Sequence, residues 1–160
     1  MSKLTWKLQE KFVERLLRGD VLWWDSMADH VAFGDGYHYY ILKTEDVFVD
    51  FEKLENSEST YKFSKMNVLQ SYHHKLDFCS NVCWTVEQRA RDKGALRKFE
   101  YLDKHLWINE AYLKEIDFLK NSESFCIGAD PVNGFKMPVR FESGEIIAVI
   151  LPVRVGDEHE

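Results

Sequence analysis

Apolar residues recur every three to four positions from Lys3 to Arg18 (KLTWKLQEKFVERLLR), with Leu4, Leu8, Phe12 and Leu16 in register and Trp6, Val13 and Leu17 beside them. That period predicts an amphipathic helix, and Gly19 stands where a helix ends on a residue of positive φ. On a helical wheel Leu8, Phe12, Leu16, Val13, Trp6 and Leu17 share one side; Lys3, Lys7, Lys11, Arg15 and Arg18, with Glu10 and Glu14, share the other. A helix that faces a core and turns a mostly basic surface outward is expected.

The period then changes. VLWWD, HVAFGDGYHYYILK and DVFVDF are short aromatic and β-branched runs separated by turn residues, and they predict three or four antiparallel strands up to residue 51. Asp35-Gly36 is expected to be the two-residue turn of a hairpin, with positive φ. Residues 52–75 are more polar and carry a Ser/Glu/Asn cluster at 55–59, which predicts a loop followed by a helix from about Lys62 to His74. FCSNVCWTV, ALRKFEYL and KHLWI read as further strands, with the charged EQRARDKG as a turn. Asn109 can cap a helix from Glu110 to Leu119, with Ile108 stapled to Leu113. SFCIGA, FKMPVRFE and EIIAVILPVRV follow as strands, separated by Asn133-Gly134 and Ser143-Gly144. The order of elements therefore repeats, although the residues do not. An α+β fold is expected: one domain over 1–160, whose halves, about 1–60 and 77–155, are similar helix-plus-antiparallel-sheet units joined by a loop and helix.

Composition narrows the class. The 160 residues are 45% hydrophobic and 30% charged, a globular balance long enough for a real core. The net charge of −6 argues against coating nucleic acid by bulk electrostatics, leaving only a local basic stripe. No run approaches the roughly 18 apolar residues of a membrane span, and MSKLTWKLQEKF is charged throughout, unlike a secretory signal. With an odd three cysteines, a reducing cytoplasmic setting is expected, without membrane association. The terminal GDEHE reads as a solvated end.

Candidate chemistry is sparse. Cys79 and Cys83 lie near His73 and His74, but their run alternates like a strand, so small core residues are expected rather than metal ligands. His30 and His38 flank the Asp35-Gly36 hairpin near Asp29 and Asp35, where a surface pair is expected before a catalytic dyad. Trp23, Trp24, Tyr37, Tyr39 and Tyr40 could stack bases, yet lack interleaved cations. No phosphate-cradling glycine loop, metalloprotease helix or nucleophile elbow is present. Neither a catalytic residue, nor a metal, nor a cofactor is expected.

Within Ile108–Val155, Ile108-Asn109 precedes a helix containing Tyr112-Leu113, Pro138 precedes a hairpin, and the last apolar strand closes Leu151-Pro152-Val153-Arg154. This stretch, under a third of the chain, resembles the last subdomain of bacterial DNA sliding clamps. The resemblance implies a clamp-like domain whose helices face double-stranded DNA, with Lys3, Lys7, Lys11, Arg15 and Arg18 toward phosphates. It also implies that Leu151, Pro152 and Arg154 border a groove for short peptides of polymerases or repair proteins. A bacterial clamp subunit has three such domains and this chain has one, so encircling a duplex would take a homo-oligomer. The acids Glu110, Glu115 and Asp117 of the second helix would repel phosphate. Two other classes stand beside this reading: an acidic protein-interaction or inhibitor module on a clamp-like scaffold, and an enzyme of unrecognised type.

Overall fold

Helix α1 (Lys3–Leu17) forms where its period places it. It ends in a Schellman arrangement, with Gly19 at φ +96° and its N–H on the Leu16 carbonyl while the Asp20 N–H reaches that of Arg15. The computed structural model describes residues 3–57, 62–70, 82–91, 94–130, 138–143 and 146–155, a mixed α+β arrangement. The chain divides into two units, residues 1–76 with 145–147, and residues 77–144 with 148–160.

In the first unit β1 (Leu22–Met27), β2 (His30–Gly34) and β3 (His38–Lys43) form an antiparallel meander, pairing Trp24 with Phe33 and Phe33 with Tyr40. Leu8, Phe12 and Leu16 of α1 are buried as expected. Phe12 meets Phe33 edge-on with centroids 5.1 Å apart, and Phe51 stacks on Phe33 at 5.4 Å. Each such side chain contributes about 1.5–3 kcal/mol by leaving water. Trp6 and Leu17, expected on the buried side, are exposed; the buried stripe runs instead through Thr5 and Gln9.

Gln9 explains the second departure. Its side-chain amide donates to the Asp46 carbonyl at 2.9 Å, and its oxygen accepts the Phe48 N–H at 2.8 Å and the Val49 N–H at 3.4 Å. The DVFVDF run is therefore not a strand. A 3-10 turn (Thr44–Asp46) leads into an irregular stretch bound to Gln9, then into the short helix α2 (Phe51–Glu55), capped by the Asp50 carboxylate on the Lys53 N–H.

The helix expected from Lys62 to His74 is also corrected in its first part. Residues Phe63–Lys65 form β4, parallel to β1, so this unit's strands run in the order β4-β1-β2-β3. The free edge of β1 captures them, through Leu22 N–H to Lys62 O and Met66 N–H to Trp24 O. The buried Asp25 carboxylate then accepts the N–H groups of Val68 and Leu69, where the chain turns helical. The remainder of that expected helix lies outside the described residues.

The β2–β3 hairpin forms, shifted by one residue from the expected turn. Gly34 pairs with Tyr39 and the Asp35 N–H meets the His38 carbonyl at 2.9 Å, so Gly36-Tyr37 is the two-residue turn, and Gly36 has no positive φ. The Asp35 side chain closes it, accepting the Tyr37 and His38 N–H groups at 2.7 and 2.8 Å. Its second oxygen takes the Arg15 guanidinium at 2.6 Å, and its carbonyl takes the Trp23 indole N–H at 2.7 Å.

Burial opposes the Asp35 charge. The His38 ring at 3.2 Å and the His38 and Tyr37 N–H groups outweigh burial and hold the carboxyl well below the usual carboxylate range. For Arg15, burial pulls the pKa down and the bonds to Asp35 and Asp20 more than restore it.

In the second unit β5 (Cys83–Arg91), β6 (Gly94–Tyr101) and β7 (Lys104–Asn109) make an antiparallel sheet. EQRAR, expected as a turn, continues β5: Gln88 pairs with Arg97 and Arg91 with Gly94, after a bulge between Trp84 and Gln88. Its charges are the solvated side of an edge strand. Asn109 caps α3 (Glu110–Ile116) through the Ala111 N–H at 2.9 Å, and a 3-10 turn (Asp117–Asn121) completes the expected length. Ile108 and Leu113 are both fully buried, as a staple requires.

Strands β8 (Cys126–Gly128), β9 (Val139–Glu142) and β10 (Ile146–Ile150) run in the order β10-β9-β8. The last strand stops short of its expected end, and only Val153 returns to a ladder, bridging Trp107. Trp84, Phe99 and Phe141 form the aromatic centre, with centroids 5.4–5.7 Å apart. The Asn133-Gly134 turn lies outside the described residues.

Two predictions follow from the hairpin. A Cβ on Gly34 would collide with the Tyr39 Cβ and the His38 carbonyl, whereas one on Gly36 meets open space. Gly34→Ala should therefore cost about 1–3 kcal/mol, and Gly36→Ala should stay within about 0.5 kcal/mol, measured by urea denaturation. Because the native pKa of Asp35 is lowered, its contribution is full above the unfolded value of about 3.9 and fades as pH falls through the native one. Asp35→Asn should lose about 2 kcal/mol at neutral pH, and the two stability curves should converge in acid. A gap that stays constant from pH 7 to pH 2 would contradict that origin.

Candidate functional site

The basic face of α1 is divided by its bonds. Lys7 and Lys11 are exposed, about 6 Å apart along the axis, and among the described residues neither has a carboxylate within ion-pair distance. Arg18 is exposed but donates through Nε and Nη2 to the two carboxylate oxygens of Asp20, at 3.1 and 2.9 Å. Those bonds raise its pKa and lower that of Asp20. Arg15 is half-buried and bridges Asp20 and Asp35 at 3.0 and 2.6 Å, so its guanidinium serves the fold. Glu10 and Glu14 are exposed on the same helix. The Lys3 side chain lies outside the description. Beside Lys7, Trp6 stacks on Phe48 with centroids 4.1 Å apart, and both rings are partly in water.

Leu151 is exposed, Pro152 half-buried and Arg154 exposed, all beyond the end of β10. The segment is held where the Val153 N–H meets the Trp107 carbonyl at 2.8 Å. Pro152, which has no N–H to offer, precedes that bond.

His30 and His38 do not approach one another. The register pairs His30 with Lys43, at the opposite end of the hairpin from His38, and each ring meets its own aspartate: Asp29 at 2.9 Å and Asp35 at 3.2 Å. Cys83 is exposed rather than buried in a core, and Cys126 is exposed beside Glu142. Burial, with the Glu142 charge, pushes the Cys126 thiol up, away from a reactive thiolate. Cys79, His73 and His74 lie outside the described residues, and within them no three His, Cys, Asp or Glu are grouped to hold a metal ion. Strand alternation splits the aromatic run: Trp24 and Tyr40 are buried, while Trp23 and Tyr39 meet at 5.0 Å with part of each ring exposed.

Two clefts lie elsewhere. In the second unit a cleft of ≈ 200 Å³ is lined by Trp84, Thr85, Arg97, Glu110 and Lys120. Lys120 sits 3.5 Å over the Trp84 ring. Glu110, which would repel phosphate if free, is held by Arg97 at 2.7 and 3.2 Å and by Gln88 at 3.2 Å. The Arg97 bond lowers the Glu110 pKa and raises that of Arg97.

The larger cleft, of ≈ 530 Å³, belongs to the first unit. Its floor is Trp24, Phe51 and Val31, its rim Asp50, Glu52 and Glu55, and Lys65 of β4 stands at one side. The Trp24 indole stacks on Phe51 at 6.0 Å, donates its N–H to Glu55 at 3.2 Å, and carries the Lys65 ammonium 5.1 Å from its ring centre. Alternation in the WW pair could have flagged Trp24 as inward. The acidic wall could not be read, because it exists only where residues 46–50 leave the sheet for Gln9.

No helix among the described residues is long and apolar enough to cross a membrane. No protein-family model, curated protein or solved structure matches the chain.

Proposed function

We propose that the chain is a non-enzymatic, clamp-like association module that meets the phosphate backbone of double-stranded DNA through the outer face of α1. The observation that carries this reading is the exposed pair Lys7 and Lys11, without carboxylate partners among the described residues, on a helix whose opposite face is fixed by Phe12, Leu16 and Gln9. Mobile ammonium groups on a fixed helix suit phosphates, which need charge rather than base-reading geometry. The order β7-α3-β8-β9-β10, a strand, a helix and three strands, supports the clamp-like part of the reading.

Arg15 is not among the contacts in this reading, and Glu10 and Glu14 limit the attraction. With a net charge of −6, the contact is local, weak and sensitive to salt. Encircling a duplex would take several copies. The exposed Leu151 and Arg154 beside Pro152 supply the companion surface for a short peptide of a replication or repair protein. A second reading, an acidic interaction module, is favoured by the carboxylates around the Trp24 cleft.

Fluorescence anisotropy with a labelled duplex tests the first reading. Binding at low salt should weaken with a log–log slope of about −2 to −3, as for two or three phosphate contacts. The double substitution Lys7→Glu with Lys11→Glu should abolish it while leaving the melting curve unchanged. A duplex that is ignored at low salt, or bound equally by that variant, removes DNA from the function.

A further inference from the structure

We propose that the cleft over Trp24 and Phe51 receives an arginine side chain from a basic segment of a partner protein. This surface is distinct from the α1 face, and the proposal stands whether or not DNA is bound.

The floor is built for a cation. Trp24 is nearly fully buried, its ring fixed by stacking on Phe51 and by the bond from its N–H to Glu55, so its π-face cannot turn away. A cation already occupies that face: the Lys65 ammonium, 5.1 Å from the ring centre. Lys65 is exposed and reaches in from β4, so it can be displaced into water at little cost in packing.

The rim adds the sign. Asp50, Glu52 and Glu55 face one lysine, so the lining carries an excess of two negative charges. An anion is repelled, and a wholly apolar ligand would strip water from the carboxylates without replacing it. A cation on an apolar stem satisfies both parts, the stem against Val31 and the head between Trp24 and the carboxylates. Arginine fits better than lysine, since its planar guanidinium stacks on an indole and offers paired donors to a carboxylate. At ≈ 530 Å³ the cleft holds more than one side chain, so neighbouring residues of a peptide can enter with the arginine.

Three short peptides, identical except for a central arginine, lysine or citrulline, test this by anisotropy and by the indole N–H signals of ¹⁵N-labelled protein. Citrulline keeps the shape of arginine and removes its charge. The arginine peptide should move the Trp24 indole signal and bind about tenfold more tightly than the citrulline peptide. Glu52→Gln, on the exposed rim, should weaken binding several-fold with an unchanged melting curve. Lys65→Ala should strengthen it several-fold by vacating the indole face, while Lys62→Ala should do nothing. Equal affinity for arginine and citrulline, no shift at millimolar peptide, or weaker binding by Lys65→Ala would each overturn the proposal. Tighter binding of spermidine or free arginine than of the peptide would also overturn it, making the occupant a small amine.

Discussion

The Arg15 guanidinium and the Asp35 carboxylate meet at 2.6 Å, and through that pair helix α1 is fixed to the tip of the β2–β3 hairpin. Removing two charges from water is costly, and the cost is recovered only where the remaining hydrogen-bonding capacity is used. Asp35 uses it through two backbone N–H groups and the guanidinium, with the His38 ring 3.2 Å from its carboxylate, and the Trp23 indole caps its carbonyl. One residue thus shapes a turn, orients a tryptophan and receives a helix. Because Arg15 ends here, the cationic surface of α1 is narrower than its sequence suggests.

What was legible in the sequence was local. Gly19 and Asn109 mark helix ends because capping is decided by a residue and its near neighbours, and both do what their types predict. The α1 helix follows from its period, the three strands of the first meander from their aromatic and β-branched runs, and α3 from its Asn109 cap and the Ile108–Leu113 staple. Misreadings begin where a distant partner intervenes. DVFVDF has the composition of a strand, but Gln9, some forty residues away, takes its backbone groups. FSK has no strong strand signal and becomes one because β1 offers an open edge. EQRAR looks like a turn because of its charge, and it is an edge strand for the same reason, since water covers one side of it. In GDGY the turn reads at Asp35-Gly36, while the glycine with no room for a side chain is Gly34, inside β2.

The candidate surfaces show the same division. Basic spacing on α1 was visible, and so were Leu151, Pro152 and Arg154; which cations were already engaged was not. The aromatic cleft was invisible, because its wall is made by a segment whose path depends on a buried amide. Surface charge read from a helical wheel therefore overstates the charge on offer, and a cleft lined by residues from four separate stretches leaves no spacing to find.

The buried amide of Gln9 has one more consequence. Val47, Phe48 and Val49 make a short run of high β-propensity; the Val47 N–H meets the Thr44 carbonyl, and those of Phe48 and Val49 would otherwise be open to a strand partner. Gln9 occupies the Phe48 and Val49 N–H groups and the Asp46 carbonyl with a side chain, which no second copy of the chain can extend into a ladder. The glutamine that holds the loop in place thus also leaves those two N–H groups unavailable to a further strand.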